Sequence, residues 1–263
     1  MSQSEVNNRY NNTNIDTMQM VYGRGYLSAG GDDEVGRIFQ GIDLSDKHIL
    51  DLGCGLGGAS LAMVESLNAE HVTGFDIDEN LLTEAQQLID ENSVQSRVSF
   101  CHGTPGPLSF SDSEFDLVYM TAVSCHIEDL PPFFEEISRV LKSGGCVVGS
   151  EWYRRADNKA YADWDNLLRE RGLNFYFKYP DEYTASLQEA GFDTVTYVDR
   201  TAEFCQYSDD ALQQVNGELR SQFVEKLGET GFEAFLEWTN KRYWSLANGG
   251  ISQSHFRAYC NVA

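Results

Sequence analysis

Residues 49–58 read Ile49-Leu50-Asp51-Leu52-Gly53-Cys54-Gly55-Leu56-Gly57-Gly58. Ile49, Leu50 and Leu52 predict a buried strand. The glycines that follow predict a sharp turn against which a ligand packs closely, because glycine has no Cβ to clash. Ala59, Leu61, Ala62 and Met63 then open a helix whose free N–H groups face the turn. Gly53, Gly55 and Gly58 satisfy the spacing of a dinucleotide fingerprint. Asp51 argues against that reading, since a pyrophosphate gains nothing from a carboxylate at its mouth, whereas a cation does.

A second stretch, His71 to Asp78, alternates like a strand and ends in acids. In doubly wound sheets an acid at the end of the second strand bonds the ribose hydroxyls of an adenosine. Asp76 is the expected ribose ligand and Ile77 the expected adenine wall, while Asp78 suits the N-cap of the next helix. Strands are expected at Lys47–Leu52, His71–Asp76, Val98–His102, Phe115–Met120 and Gly145–Glu151, with helices at Gly58–Ser66, Leu81–Asp90 and Leu130–Leu141. Such alternation predicts a parallel sheet covered by helices on both faces, with ligands beyond the carboxyl ends of the strands.

The Asp51-x-Gly53-x-Gly55-x-Gly57 corner resembles motif I of the class I S-adenosylmethionine (SAM) methyltransferases. Phe115-Asp116-Leu117-Val118 resembles their fourth strand, and Leu141-Lys142-Ser143-Gly144-Gly145 resembles the turn before their fifth, with Ser in place of Pro. The resemblance implies an α/β fold, a doubly wound, mostly parallel seven-stranded Rossmann-like sheet, with SAM as cofactor and S-adenosylhomocysteine as product. It implies Asp51, Gly53, Gly55 and Asp76 as cofactor ligands. Many relatives hold the adenine amino group with an acid near Gly103 or Thr104; this chain has none there, so Thr104 or a backbone carbonyl takes that place.

His126, in Thr121-Ala122-Val123-Ser124-Cys125-His126-Ile127, follows the fourth strand and so faces the methyl donor. A histidine titrates near pH 6.5 when unperturbed, and an amine must lose a proton before its lone pair can attack. His126 is therefore the expected base or proton relay; the alternative is a histidine that only shapes the pocket. Over nearly its whole length the chain is similar to the phosphoethanolamine N-methyltransferases. The matches are Asn7, Asn8 and Tyr10; Gly23, Tyr26, Ser28, Gly30 and Gly31; the glycine corner; His126; and Trp238, Lys241 and Phe256. In that family the histidine pairs with an N-terminal tyrosine, here Met18, and an aspartate four residues before it is here Ala122. Tyr10, Tyr22 or Tyr26 is left to partner His126. Tyr26 is assigned to catalysis, Tyr26 and Ser28 to the cofactor, and Tyr22 and the phosphate-matching Lys241 to the acceptor.

Three segments are expected: an N-terminal strap and lid helix (1–45), a SAM-binding core (46–151), and a substrate lid with the remaining strands (152–263). The loop Val21–Gly31 is expected to fold over the site and Asp32–Gln40 to form a helix. Glu151 to Tyr183 is dense in aromatics. Most of them suit a small hydrophobic subcore, but Trp152 and Tyr153, at a strand end, are expected in the pocket, where aromatic faces attract cations by about 0.5–2 kcal/mol each. Glu151 is expected to bond a substrate amine or to cap the turn. Phe192–Val198 and His255–Val262 are the last expected strands, the latter antiparallel. Asp209–Leu246 reads as helical, with Leu212, Val215, Leu219, Phe223 and Leu227 as a packing stripe.

The formal net charge of −22 argues against nucleic acid and anionic membranes as partners, and suits a cationic substrate or plain solubility. No apolar run is long enough to span a bilayer, and the polar N-terminus does not read as a secretory signal, so a cytoplasmic monomer or homodimer is expected. The six cysteines show no metal-binding spacing; reduced buried thiols and no metal are expected. These features predict methyl transfer to the nitrogen of a small polar amine, phosphoethanolamine-like or amino-acid-like. The alternatives are a thiol, carboxylate or heteroaromatic nitrogen acceptor, or a non-catalytic SAM-binding module.

Overall fold

Ile49 and Leu50 are fully buried and Leu52 nearly so, as befits a strand covered on both faces. The structure, a computed structural model, describes residues 12–260. The motif residues Asn7, Asn8 and Tyr10, and the end of the last expected strand at Val262, lie outside the described residues. Along the chain run α1 (Asn12–Tyr22), α2 (Gly31–Ile38), β1 (His48–Leu52), α3 (Gly58–Glu65), β2 (His71–Asp76), α4 (Glu79–Glu91), β3 (Val98–His102) and β4 (Phe115–Thr121). A 3-10 turn (Ser124–His126) follows, then α5 (Leu130–Val140), β5 (Leu141–Arg154), α6 (Lys159–Glu170), α7 (Pro180–Glu189), β6 (Phe192–Asp199), α8 (Thr201–Asn216), α9 (Arg220–Ala247) and β7 (Ile251–Cys260).

The seven strands form one sheet in the order β3-β2-β1-β4-β5-β7-β6. The first five are parallel, and β7 runs antiparallel to both β5 and β6. Strand parity sorts the core. Leu50, Leu52, Val118, Met120, Val147 and Tyr153 face α5 and α7. Ile49, Leu117, Tyr119, Cys146 and Val148 face α2, α3 and α4. Asp51 belongs to the second face, where Ser60 of α3 meets it.

Four expectations need adjusting. The polar N-terminal stretch is partly helical: α1 buries Ile15 against Leu56 and Leu81, while Met20 and Val21 pack on Val215, Phe223 and Phe232 of the last helices. Its apolar residues serve two separate bodies, so no single stripe shows in the sequence. The Leu141–Gly145 turn is an irregularity within β5, whose pairing jumps from Phe115↔Leu141 to Leu117↔Cys146. β5 also runs three residues past Glu151, and β7 starts four residues before His255, because each pairs with the other from Cys146↔Tyr259 to Arg154↔Ile251. Finally, the long C-terminal helical region is two helices, and α9 itself breaks at Gly228 (φ 69°, ψ 167°). The expected packing stripe lies in this layer, with Val215 and Phe223 fully buried. No helix among the described residues is long and apolar enough to cross a membrane.

Gly149 allows the central pair β4–β5 to close: a Cβ there would lie 1.8 Å from the Met120 carbonyl oxygen. Gly149→Ala is expected to cost about 3 kcal/mol or more of stability by overpacking, read from the urea midpoint. An unchanged midpoint would show that the pair has slack.

Candidate active site

A cavity of about 660 Å3 opens beyond the carboxyl ends of β1, β2 and β4. Its floor is the glycine corner. Gly53 has φ 74°, and a Cβ there would strike Val123 Cγ2 at 2.6 Å, so a side chain fits neither the backbone conformation nor the space. The Gly53 and Cys54 N–H groups donate to the Phe75 carbonyl (2.7 and 3.1 Å), and the Gly55 N–H donates to Asp76 Oδ2 (2.8 Å). Asp76 Oδ1 accepts from the Asp78 N–H (3.0 Å). The corner is thus tied to the end of β2. Asp78 caps α4, accepting from Asn80 and Leu81 N–H, so the cap and the cavity-lining acid Asp76 sit two residues apart.

Asp51 is buried and accepts a hydrogen bond from Ser60 Oγ (2.6 Å). Burial pushes its carboxyl up to about 7, against the bond from Ser60 and with a further push from Asp76. Burial also raises Asp76, opposed by the Gly55 and Asp78 N–H groups. Two carboxylates in one dry hollow favour a cation between them.

The cavity brings together Tyr26, Ser28, Asp51, Gly53, Gly55, Asp76, Ile77, Thr104, His126 and Trp152. Tyr26 donates its hydroxyl proton to Asp32 Oδ1 (2.5 Å), and burial, with Asp32 beside it, pushes that hydroxyl up. His126 ends the 3-10 turn, its ring 4.5 Å from that of Phe175. Glu151 fastens this turn: it accepts from the Ser124 N–H (2.8 Å) and Ser124 Oγ (2.5 Å), and from the Trp152 N–H (2.9 Å). Ala122, at the mouth of the turn, holds a left-handed φ of 52°, a conformation that costs a Cβ-bearing residue energy and recurs at functional sites.

Three expected acceptor contacts lie elsewhere. Tyr153 is on the opposite face of β5 from Trp152, as alternation requires; it is fully buried with its ring 5.2 Å from Tyr183. Tyr22 accepts a hydrogen bond from Arg242 Nη2 (3.0 Å), and neither it nor Lys241 of α9 lines the cavity. Most aromatics of the expected lid form a subcore around Trp164, Phe177, Phe204 and Leu246. Cys54 lines the cavity, whereas Cys125 packs in that subcore. All six cysteines are free; Cys101 and Cys205 are only half-buried.

Several cavity residues were not legible in the sequence. Glu34 of α2 lies at the wall, bonded by Arg200 Nε and Nη2 (3.1 and 3.0 Å), with His255 Nε2 at 2.7 Å from its Oε1. Burial raises its carboxyl, but the His255 and Arg200 contacts outweigh that and hold it at about 2. Tyr119, Ser150, Phe204 and Gln253 complete this side. Only the parity of Ser150 with Trp152 was available in advance; the rest come from pairing and packing between segments distant in the chain.

Residues 50–149 match the family model described as a methyltransferase domain. The chain is 30% identical over 247 residues to phosphoethanolamine N-methyltransferase 1 of Triticum aestivum, covering 92% of this chain and 45% of the relative. It is 28% identical over 239 residues to phosphoethanolamine N-methyltransferase 1 of Arabidopsis thaliana, covering 89% and 47%. The chain thus spans about half the length of these curated relatives. Its fold superposes on Haemonchus contortus phosphoethanolamine N-methyltransferase 2, solved with phosphomonomethylethanolamine and S-adenosylhomocysteine, with a TM-score of 0.88 at 19% identity, covering 99% of this chain and 61% of that one. It also superposes on a putative sarcosine dimethylglycine methyltransferase from Galdieria sulphuraria, with a TM-score of 0.77 at 14% identity, covering 88% and 85%. Sheet order, glycine corner and family match together identify a methyltransferase domain over residues 50–149, in a chain similar to the phosphoethanolamine N-methyltransferases.

Proposed function

We propose that the chain transfers the methyl group of SAM to the nitrogen of a small polar amine. The observation that carries the cofactor half is the pair of buried carboxylates, Asp51 and Asp76, flanking a glycine corner with no room for a side chain at Gly53. SAM, when bound, supplies a methyl carbon activated by a sulfonium. Asp51 attracts the cationic amino-acid end of the cofactor, and Asp76 accepts from the ribose hydroxyls. Ile77 forms the adenine wall, Thr104 meets the adenine edge, and Tyr26 and Ser28 close the site from the N-terminal side.

On the acceptor side His126 takes the proton that an ammonium must lose. Glu151 and Ser124 hold its turn in place, which fixes the ring relative to the cavity and limits misalignment of the nucleophile. The similarity to phosphoethanolamine N-methyltransferases supports nitrogen as the accepting atom.

Two tests follow. His126→Asn is expected to lower kcat by about 10²-fold while leaving S-adenosylhomocysteine affinity within a factor of two or three; wild-type turnover in this variant would reduce His126 to packing. Screening amines against thiols and carboxylic acids by S-adenosylhomocysteine release reads the acceptor atom, and turnover confined to thiols or acids would overturn the nitrogen assignment.

Asp51 gives a pH-dependent test. Its folded value near 7 lies above the ordinary carboxylate value of about 3.9. The native state therefore holds this proton more tightly than the unfolded chain. Its contribution to stability is full below about pH 4 and is lost as pH rises towards 7. Asp51→Asn removes that slope. The ligand-free variant should gain stability relative to wild type between pH 4 and 8 in urea titrations, while its S-adenosylhomocysteine affinity falls by about 10- to 100-fold through loss of a charged partner. Parallel stability curves would show that Asp51 does not titrate in this window.

A further inference from the structure

We infer that the acceptor is an unphosphorylated amine whose far end is an uncharged hydroxyl or amide, held by the Ser150 hydroxyl and the Gln253 side-chain amide. This rests on the N-methylation reading above and narrows its substrate class.

The antiparallel pairing of β5 and β7 sets Trp152 opposite Gln253 and Ser150 opposite His255. Partners in register and residues two apart share a face, so Ser150, Trp152 and Gln253 present one surface, and all three line the cavity. Ser150 and Gln253 are each only 3% exposed. Yet Ser150 Oγ and Gln253 Oε1 are buried without a hydrogen-bond partner in the protein. Buried polar atoms are nearly always satisfied, and two orphans side by side on a cavity wall mark a place where a ligand supplies the missing bonds. A hydroxyl both donates and accepts, and an amide offers both kinds of group. Neither carries charge. The neighbouring wall is aromatic: Trp152 and Phe204 meet edge to face at 5.6 Å.

The charges of the cavity exclude the phosphate borne by the substrate of the similar enzymes. Among the described residues that line it there is no lysine or arginine. The ionisable side chains are Asp51, Asp76, Asp78, Asp129, Glu135 and Glu136, together with Glu34, Tyr26, Tyr119, Cys54 and His126. Arg200, just behind the wall, is already committed to Glu34 through two nitrogens and to Glu203 through the third. Three arginines around the aromatic layer are paired as well: Arg154 with Asp157, Arg169 with Asp165 and Arg171 with Glu237. A phosphate brought to this wall would lose its hydration and meet no lysine or arginine lining the cavity to replace it. A cationic amine with a hydroxyl tail meets complementary charge and two waiting hydrogen-bond groups.

The experiment compares matched pairs on the full chain with SAM: ethanolamine against phosphoethanolamine, and 3-amino-1-propanol against its phosphate ester, read as S-adenosylhomocysteine release. The unphosphorylated member should be favoured at least 100-fold in kcat/KM. Gln253→Leu, and independently Ser150→Ala, should raise KM for the preferred amino alcohol tenfold or more, with kcat within threefold and S-adenosylhomocysteine affinity unchanged by calorimetry. That split separates an acceptor contact from a general loss of structure, and the serine variant keeps the test open if the glutamine variant does not fold. Preference for the phosphorylated members, or unchanged KM in both variants, overturns the inference and leaves N-methylation standing. Turnover of neither member of either pair, with S-adenosylhomocysteine binding intact, overturns this substrate class. If the wider amine screen is also silent, the N-methylation reading falls with it.

Discussion

Parallel pairing of β1 with β2 brings Asp51 and Asp76 to the same edge of the sheet, one strand apart and both buried. Like charges so placed raise each other's affinity for protons, and the local structure answers that repulsion. The glycine corner turns its Gly55 N–H onto Asp76, Ser60 reaches Asp51 from α3, and the Phe75 carbonyl receives two N–H groups of the loop. What these bonds do not neutralise is left for a ligand. The geometry of the floor and its preference for a cation thus have one origin: the topology that sets two acids next to each other.

How much of this was legible in the sequence divides along a physical line. The glycine corner, the acid at the end of β2 and the alternation of elements are local patterns, and the sheet they predict is the sheet found, with β7 antiparallel as expected. The cofactor side is local too, because its residues sit at strand ends whose position follows from the order of strands. The acceptor side depends on parity and on pairing between distant segments. Assigning both Trp152 and Tyr153 to the pocket overlooked that neighbours on a strand face opposite ways. Glu34 meets Arg200 and His255 only because α2 packs across β7, and no window of sequence contains that contact. Lys241 matches a family position, but α9 carries it outside the cavity.

The two ends of the cavity therefore differ in kind. The floor near β1 and β2 is anionic and tightly bonded. The wall from β5 and β7 is aromatic and neutral, its one carboxylate, Glu34, already matched by Arg200 and His255. Between them stands His126 on a turn secured by Glu151. Burial raises the Glu151 carboxyl, opposed by its bonds from Ser124 and Trp152, and Glu151 itself does not line the cavity.

The first described helix links the floor of the cavity to the C-terminal helices. Through Ile15 it rests on Leu56 and Leu81 beside the glycine corner, and through Met20 and Val21 it rests on the C-terminal helices. A helix of three turns moves as a rod, so a shift felt at one of its contacts is passed to the other. A displacement of the C-terminal helices at Phe223 or Phe232 is thereby carried to Leu56 and Leu81, beside the glycine corner.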